Sequence, residues 1–136
     1  MRTLTGDQVE IGSVLPDLVI ELTPTAIVST ALATMDFTPV HHDVGRARAQ
    51  GSKDIFLNIL TTMGLVERYV TDWAGPEALI RGINVKLGVP AYAGDTLTFT
   101  GTVVACENGE FTAEVRGKVS LGDHASGTVR FALPDR

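Results

Sequence analysis

The sequence is poor in residues that build covalent or metal cross-links. It holds one cysteine, Cys106, which excludes an intramolecular disulfide and any cysteine-only metal site. Its three histidines, His41, His42 and His124, lack the spacing of a zinc ligand set, so no metal is expected. Cations are scarce too. Eleven Lys and Arg against 16 Asp and Glu leave a net charge of −5, which disfavours nucleic acid as the main partner. Long apolar runs are missing. The uncharged stretch Leu22 to Met35 spans 14 residues, is broken by Pro24 and carries five Thr or Ser. A membrane-crossing helix needs about 20 mostly apolar residues. Arg2 is followed by polar residues, with Asp7 and Glu10 where the apolar part of a secretory signal would fall. The expectation is a cytoplasmic protein that neither crosses nor enters a membrane.

What is present is ordinary globular material. The 136 residues are 44% apolar and 20% charged, enough for one core that needs no staples. No repeat, low-complexity tract or linker divides them, so residues 1–136 are expected to form one domain, with 1–14 as an N-terminal tail or edge strand.

Leu15–Leu22 alternates, with Leu18, Ile20 and Leu22 on one face, and reads as a strand. Thr23-Pro24 is an N-cap followed by proline at the first helical position, predicting a short helix over Thr25–Thr34. The strongest helical signal is Ser52–Trp73. Ile55, Phe56, Ile59, Leu60, Met63, Val66, Val70 and Trp73 follow a 3.6-residue period, Ser52 is the expected N-cap, and Ala74-Gly75-Pro76 is a stop. Four strands follow with period two: Leu79–Leu87, Thr96–Cys106, Glu110–Leu121 and His124–Leu133. Asn108-Gly109 and Gly122-Asp123 are the expected hairpin turns.

The meander has one apolar and one polar face, which excludes a two-sheet sandwich. A long apolar helix and a one-faced sheet bury each other. Gly101, Gly117 and Gly127 fall on the inward face, where the helix is expected to come close. Strand, long helix, then four antiparallel strands is the order of the hotdog fold, an α+β architecture with a sheet of five to six strands.

Most ionisable residues read as surface. Glu110, Glu114, Arg116 and Lys118 form a solvated strand face; Cys106 ends a strand; His124 begins one; Met63 and Trp73 belong to the core stripe. The exception is Asp36-Phe37-Thr38-Pro39-Val40-His41. A carboxylate and an imidazole five residues apart, in a chain bent by proline, can converge on one water molecule. Gly51, read as opening the long helix, would offer a free N–H in the positive field of a helix N-terminus, which suits an oxyanion. Residue chemistry alone leaves two readings of this segment, a catalytic loop or an ordinary proline turn.

The segment resembles the hydratase motif of MaoC-like (R)-specific enoyl-CoA hydratases, a hotdog family. Asp36, Pro39, Val40, His41 and Ala47 stand at the motif spacings, and Tyr92-Ala93-Gly94-Asp95-Thr96-Leu97 resembles the family's Gly-Asp-Thr turn into a long strand. Two positions depart: Met35 replaces the motif glycine and Thr38 the motif asparagine. Longer strings are similar to one subgroup. They are 27–37, Val40-His41-His42-Asp43, 49–56 and 69–76. The subgroup is the small subunit of an actinobacterial heteromeric enoyl-CoA hydratase acting on shortened steroid side chains.

The resemblance implies water addition across the α,β double bond of a steroid enoyl-CoA with a three-carbon side chain. Asp36 and His41 would hold and deprotonate the water, and Gly51 would bind the thioester oxygen. No cofactor is implied, since coenzyme A is part of the substrate. Arg46, Arg48, Ser52 and Lys53 are the candidate substrate-binding residues. The implied partner is a larger MaoC-like chain with a fused zinc-binding and OB-type domain, through which a downstream aldolase could be reached. Two alternatives stand beside this reading: a non-catalytic subunit completing a partner's site, and an acyl-CoA thioesterase on the same fold.

Overall fold

The computed structural model describes residues 2–135. Among them the order is β1 (Val14–Glu21), α1 (Pro24–Ala33), α2 (Val44–Ala49), α3 (Ile59–Ala74), β2 (Leu79–Leu87), β3 (Thr96–Glu107), β4 (Glu110–Val119) and β5 (Gly122–Ala132). The strands form one antiparallel sheet of order β1-β3-β4-β5-β2, leaving β1 and β2 as its edges. Val66, Tyr69 and Val70 of α3 join Leu97, Phe99, Val103, Phe111, Val115, Val129 and Phe131 in one buried cluster. A helix covering the apolar face of an antiparallel sheet is the hotdog arrangement the patterning predicts.

Period two sets the sheet. In β4, Phe111, Ala113, Val115, Gly117 and Val119 are buried, and the residues between them face out. Asn108 and Gly109, with φ of 53° and 76°, join the paired Glu107 and Glu110 as a left-handed two-residue turn. The second hairpin turns earlier than expected. Val119 pairs with Gly122, so Ser120-Leu121 is the loop, and Leu121 is exposed there instead of lying on the apolar face. In β1 a bulge between Leu15 and Leu18 inserts one residue, so Leu15 shares the inward side with Leu18 and Ile20.

The N-terminal segment is neither a free tail nor an edge strand. It forms a 3-10 turn over Gly6–Gln8, its Leu4 N–H donates to the Ala74 carbonyl, its Gly6 N–H donates to Pro134, and Val9 is buried.

The larger correction concerns the central helix. It begins at Ile59, with Asn58 as N-cap, and its 16 residues make it about 24 Å long. Ser52 is not its N-cap. The stretch before it is extended: Phe56 bridges Tyr92, Leu57 N–H donates to Ala91, and Ala93 N–H donates to Ile55. Ile55 and Leu57 are buried by alternation, not by helical period. Ile59 and Leu60, expected in the core stripe, are each 54% exposed, while Thr61 and Thr62 are buried in their place.

Two helices end in the same motif. At α1, Asp36 N–H donates to Ala31 and Met35 N–H to Leu32; at α2, Ser52 N–H donates to Ala47 and Gly51 N–H to Arg48. These are the paired bonds of a Schellman stop, with the turning residue in a positive-φ conformation. Gly51 meets that demand at φ 95° at little cost, whereas Met35 at φ 58° carries a Cβ in the left-handed region.

Of the three inward glycines, one faces the helix. A Cβ on Gly101 would lie 3.0 Å from the Tyr69 ring. On Gly117 it would meet Phe99 and Leu97 of the neighbouring strand. On Gly127 it would overlap the Asn84 carbonyl oxygen and lie 2.8 Å from its carbon and 2.9 Å from Cα of Val85, all backbone of β2. Gly127→Ala is therefore expected to lose at least about 3 kcal/mol of unfolding free energy in urea, and Gly101→Ala about 1–3, because its Cβ would meet a ring that can yield and approach backbone, the Glu114 carbonyl oxygen, only to 3.2 Å. A Gly127→Ala protein as stable as the parent would contradict so close an approach of β2 and β5.

His124, read from the sequence as a polar strand start, is 4% exposed. Its Nδ1 lies 2.8 Å from the Val89 carbonyl, so this nitrogen carries the proton and Nε2 accepts from the Thr62 hydroxyl at 2.8 Å. Burial pushes its pKa down, only partly opposed by the Val89 carbonyl. The unfolded chain then binds a proton, below about pH 6.5, that the native state refuses. Stability should be full above that pH and fall on acidification. Urea titrations at stepwise lower pH should show the fall in the parent and a flatter acid limb in His124→Gln; equal slopes would exclude His124 as the cause.

Candidate active site

The site is built where α1 stops. The Schellman turn at Met35 swings the chain so that Asp36 leaves the helix axis at once. Its Oδ1 accepts the Thr38 N–H at 3.2 Å, which orients the carboxylate and starts the tight 3-10 turn Pro39–His41. Pro39 holds the first position of that turn, where its missing N–H costs nothing. One turn later the ring of His41 points back at Asp36.

His41 is 8% exposed. Its Nδ1 lies 2.7 Å from the Phe56 carbonyl, which can only accept, so Nδ1 is the nitrogen that carries a proton whenever the ring holds one proton only. Nε2 lies 3.5 Å from Oδ2 of Asp36 and in that tautomer presents a lone pair. The Phe56 ring packs edge-on against the imidazole at 5.0 Å and edge-on against Tyr92 at 6.1 Å. The extended segment ahead of α3 therefore fixes both the tautomer and the tilt of His41. Its Phe56 N–H also donates to Val40, tying it to the same turn.

When the imidazole carries one proton, the carboxylate and Nε2 are two acceptors 3.5 Å apart that can receive both hydrogens of one water molecule. Burial pushes the Asp36 carboxyl up in pKa. The Thr38 hydroxyl and N–H, His41 and the Asn58 side chain outweigh that, so it lies below the ordinary carboxylate value and is ionised at neutral pH.

The candidate residues from the sequence divide. Asp36 and His41 come together. Gly51 does not sit at the head of the central helix, and its N–H is already donated to the Arg48 carbonyl at 3.0 Å, so it is not the free donor expected. Ser52 likewise spends its N–H on Ala47. Arg48 and Lys53 meet, with Arg48 Nε donating to the Lys53 carbonyl at 3.1 Å and the Lys53 ammonium 4.9 Å above the Tyr92 ring. Arg46 is two residues from Arg48 on α2 and faces another way.

Other residues at the site carried no assignment from the sequence. His42 Nε2 lies 2.6 Å from the Asp36 carbonyl and pins its backbone. Asn58, 1% exposed, donates to the Thr34 hydroxyl at 2.8 Å. An asparagine before Ile59-Leu60 is a helix-start signal, and it was masked by the apparent helix running through it. Leu32, Met35, Phe37, Ile59 and Leu60 are exposed large apolar side chains on the segments that carry Asp36 and Asn58. Among the described residues no group of three or more His, Cys, Asp or Glu is placed to hold a metal, and no helix is long and apolar enough to cross a membrane.

This geometry has relatives. Residues 9–124 match the model of the MaoC like domain. The chain is 59% identical over 125 residues to the 3-oxo-4,17-pregnadiene-20-carboxyl-CoA hydratase beta subunit of Mycobacterium tuberculosis, covering 92% of this chain and 97% of that one. It superposes with a TM-score of 0.90 on a chain of the crystal structure of the ChsH1-ChsH2 complex of M. tuberculosis, at 59% identity over 91% of this chain and 98% of that one. It also superposes with a TM-score of 0.90 on the unliganded R-hydratase PhaJ1 of Pseudomonas aeruginosa, over 98% of this chain and 88% of that one; at 17% identity this shows the shared fold. A matched domain spanning most of the chain, together with a relative of this identity, establishes that the chain belongs to the MaoC-like family.

Proposed function

We propose that this chain is the hydratase subunit of a heteromeric enzyme that adds water across the α,β double bond of a CoA thioester. The proposed acyl group is a steroid with a shortened three-carbon side chain. One observation carries the chemistry: the Asp36 carboxylate and His41 Nε2 converge to 3.5 Å, close enough to hold one water between them, while His41 Nδ1 is anchored on the Phe56 carbonyl. The substrate class rests on the 59% identity to a steroid-CoA hydratase subunit.

In this mechanism the water gives one hydrogen bond to Asp36 and one to His41. As its oxygen bonds the β-carbon, one of the pair takes its proton. The π electrons pass to the thioester oxygen, and the α-carbon then recovers a proton from the pair, so the sum is H and OH added across the double bond. The developing oxyanion needs donors that are not already used. The first intrahelical bond of α3 runs from Thr62 N–H to the Asn58 carbonyl, so the N–H groups of Ile59, Leu60 and Thr61 precede it at a positive helix end. These replace Gly51 in the proposal. Arg48 and Lys53 are the cations proposed for the CoA phosphates.

The exposed apolar residues around the site favour a second wall from another chain. We assign that wall to a larger MaoC-like subunit, since the structure matched at 59% identity is of a two-component complex. The zinc-binding and OB-type domain, and any contact with an aldolase, belong to that partner in this proposal.

The test is reconstitution with the larger subunit and assay on a steroid enoyl-CoA. Hydration is expected, and release of free thiol without hydration would instead make the protein a thioesterase. Asp36→Asn and His41→Ala should each lower turnover about 10²–10⁴-fold while the complex still assembles. Either variant working at near parental rate removes the mechanism.

Gly51→Ala separates the two oxyanion assignments. Nothing lies within 4 Å of an added Cβ, so only backbone strain at φ 95° is expected, about 1–2 kcal/mol of stability, with turnover retained. A folded Gly51→Ala enzyme whose kcat collapses would return the oxyanion role to Gly51.

A further inference from the structure

Two histidines stand side by side at the end of the Pro39–His41 turn, and they are held in opposite senses. His41 is anchored by Nδ1 on the Phe56 carbonyl and turns Nε2 to Asp36. His42 is anchored by Nε2, which lies 2.6 Å from the Asp36 carbonyl oxygen. A carbonyl can only accept, so this nitrogen carries a hydrogen in either charge state of the ring. While the bond stands, Nε2 of His42 is not free to take a proton from water, and the ring serves as a donor.

What the bond holds follows from backbone geometry. The direction in which the Asp36 side chain leaves the backbone is set by the two peptide planes that meet at its Cα. The first is fixed by the Asp36 N–H, which donates to Ala31 at 2.9 Å. The second carries the Asp36 carbonyl, and His42 holds it. Local preference does not favour this turn, because Met35 just before it sits at φ 58°, where a side chain is disfavoured. Packing within the chain adds little, since Met35 and Phe37 are 74% and 61% exposed. The far end of the loop is fixed: the His42 and Asp43 N–H groups both donate to Pro39, and Asp43 caps α2 through the Arg46 N–H. His42 thus ties that anchored end back to the residue that bears the carboxylate.

We propose that His42 is a positioning residue of the site: its Nε2–H clamps the Asp36–Phe37 peptide plane and so keeps the Asp36 carboxylate facing His41. The Thr38 N–H orients the carboxylate about its own bond, and His42 sets where that bond points. The kinetic consequence rests on the hydratase reading, whereas the effect on the Asp36–His41 geometry does not.

The experiment uses the complex reconstituted with the larger subunit and compares two variants. His42→Leu is near histidine in volume but has no donor. His42→Gln places an amide N–H close to the position of Nε2 and cannot act as a base. His42→Leu should lower kcat about 10- to 100-fold, the range for a misplaced reacting group, with KM changed less than about twofold. His42→Gln should keep kcat within about threefold of the parent. Crystal structures of the two variant complexes should show the distance from Asp36 Oδ2 to His41 Nε2 lengthened beyond 3.5 Å in His42→Leu and kept in His42→Gln. Parental turnover in His42→Leu, even with a lower melting temperature, makes His42 structural only and overturns the proposal. Equal loss in both variants also overturns it, since the donor is then not what matters. Should His42→Leu not fold, His42→Ala takes its place, and a folded His42→Gln with collapsed kcat refutes the clamp by itself. A parent complex without hydratase activity refutes the hydratase reading, and the distances then decide the clamp: lengthened in His42→Leu but kept in His42→Gln supports it, and unchanged in both overturns it.

Discussion

The sheet has one apolar face, and α3 is the element that covers it. This burial governs the rest of the molecule. Val66, Tyr69 and Val70 must lie over Phe99, Val103 and Phe131, and that fixes where the helix begins as well as where it points. With its start at Ile59, the seven residues from Ser52 to Asn58 cannot join it. They pair instead with the chain around Ala91–Ala93, and in doing so bring the Phe56 carbonyl to His41 and the Asn58 amide to Thr34. The site is a consequence of how the core is closed.

Backbone turns do the remaining placement. Two helices stop by the same pair of hydrogen bonds, and each stop hands the chain to a segment of the site. The first delivers Asp36. It does so with methionine in a left-handed conformation, where most chains would use glycine, so the turn is held by its surroundings and not by local preference. The second, at Gly51, reverses the chain into the extended stretch that carries Lys53 and Phe56. Large apolar side chains stay exposed on the segments that carry Asp36 and Asn58, and they are the surface proposed to meet a second chain.

Buried polar groups join the sheet to the site. Thr62 is bonded to His124 of β5, and the adjacent Thr61 is bonded to Asn58, one turn earlier. A helix face with threonine and asparagine at its head and valine and tyrosine further along is apolar where it meets the sheet and polar where it meets the loop. Neutral His124 is accommodated because both its ring nitrogens have partners; protonated, it would lose its acceptor role toward Thr62.

By itself the sequence determined the elements whose signals are local. Strand alternation, the Asn108-Gly109 turn, the Thr23-Pro24 helix start and the Asp36–His41 spacing each depend on a few neighbouring residues, and the fold class follows from their order. Tertiary structure alone decided what depends on competition between signals. Gln50-Gly51-Ser52 reads equally as the start of one helix or the stop of another, and Ile55 to Leu60 fits both a helical stripe and an alternating strand. The choice fell to pairing with Tyr92, which lies 36 residues further along the chain than Phe56 and enters no local pattern. The same pairing exposed Ile59 and Leu60, moved the open helix end from Gly51 to Asn58, and gave the Asn58 amide the Thr34 and Thr61 hydroxyls as partners, because a buried amide must find partners wherever the core leaves it.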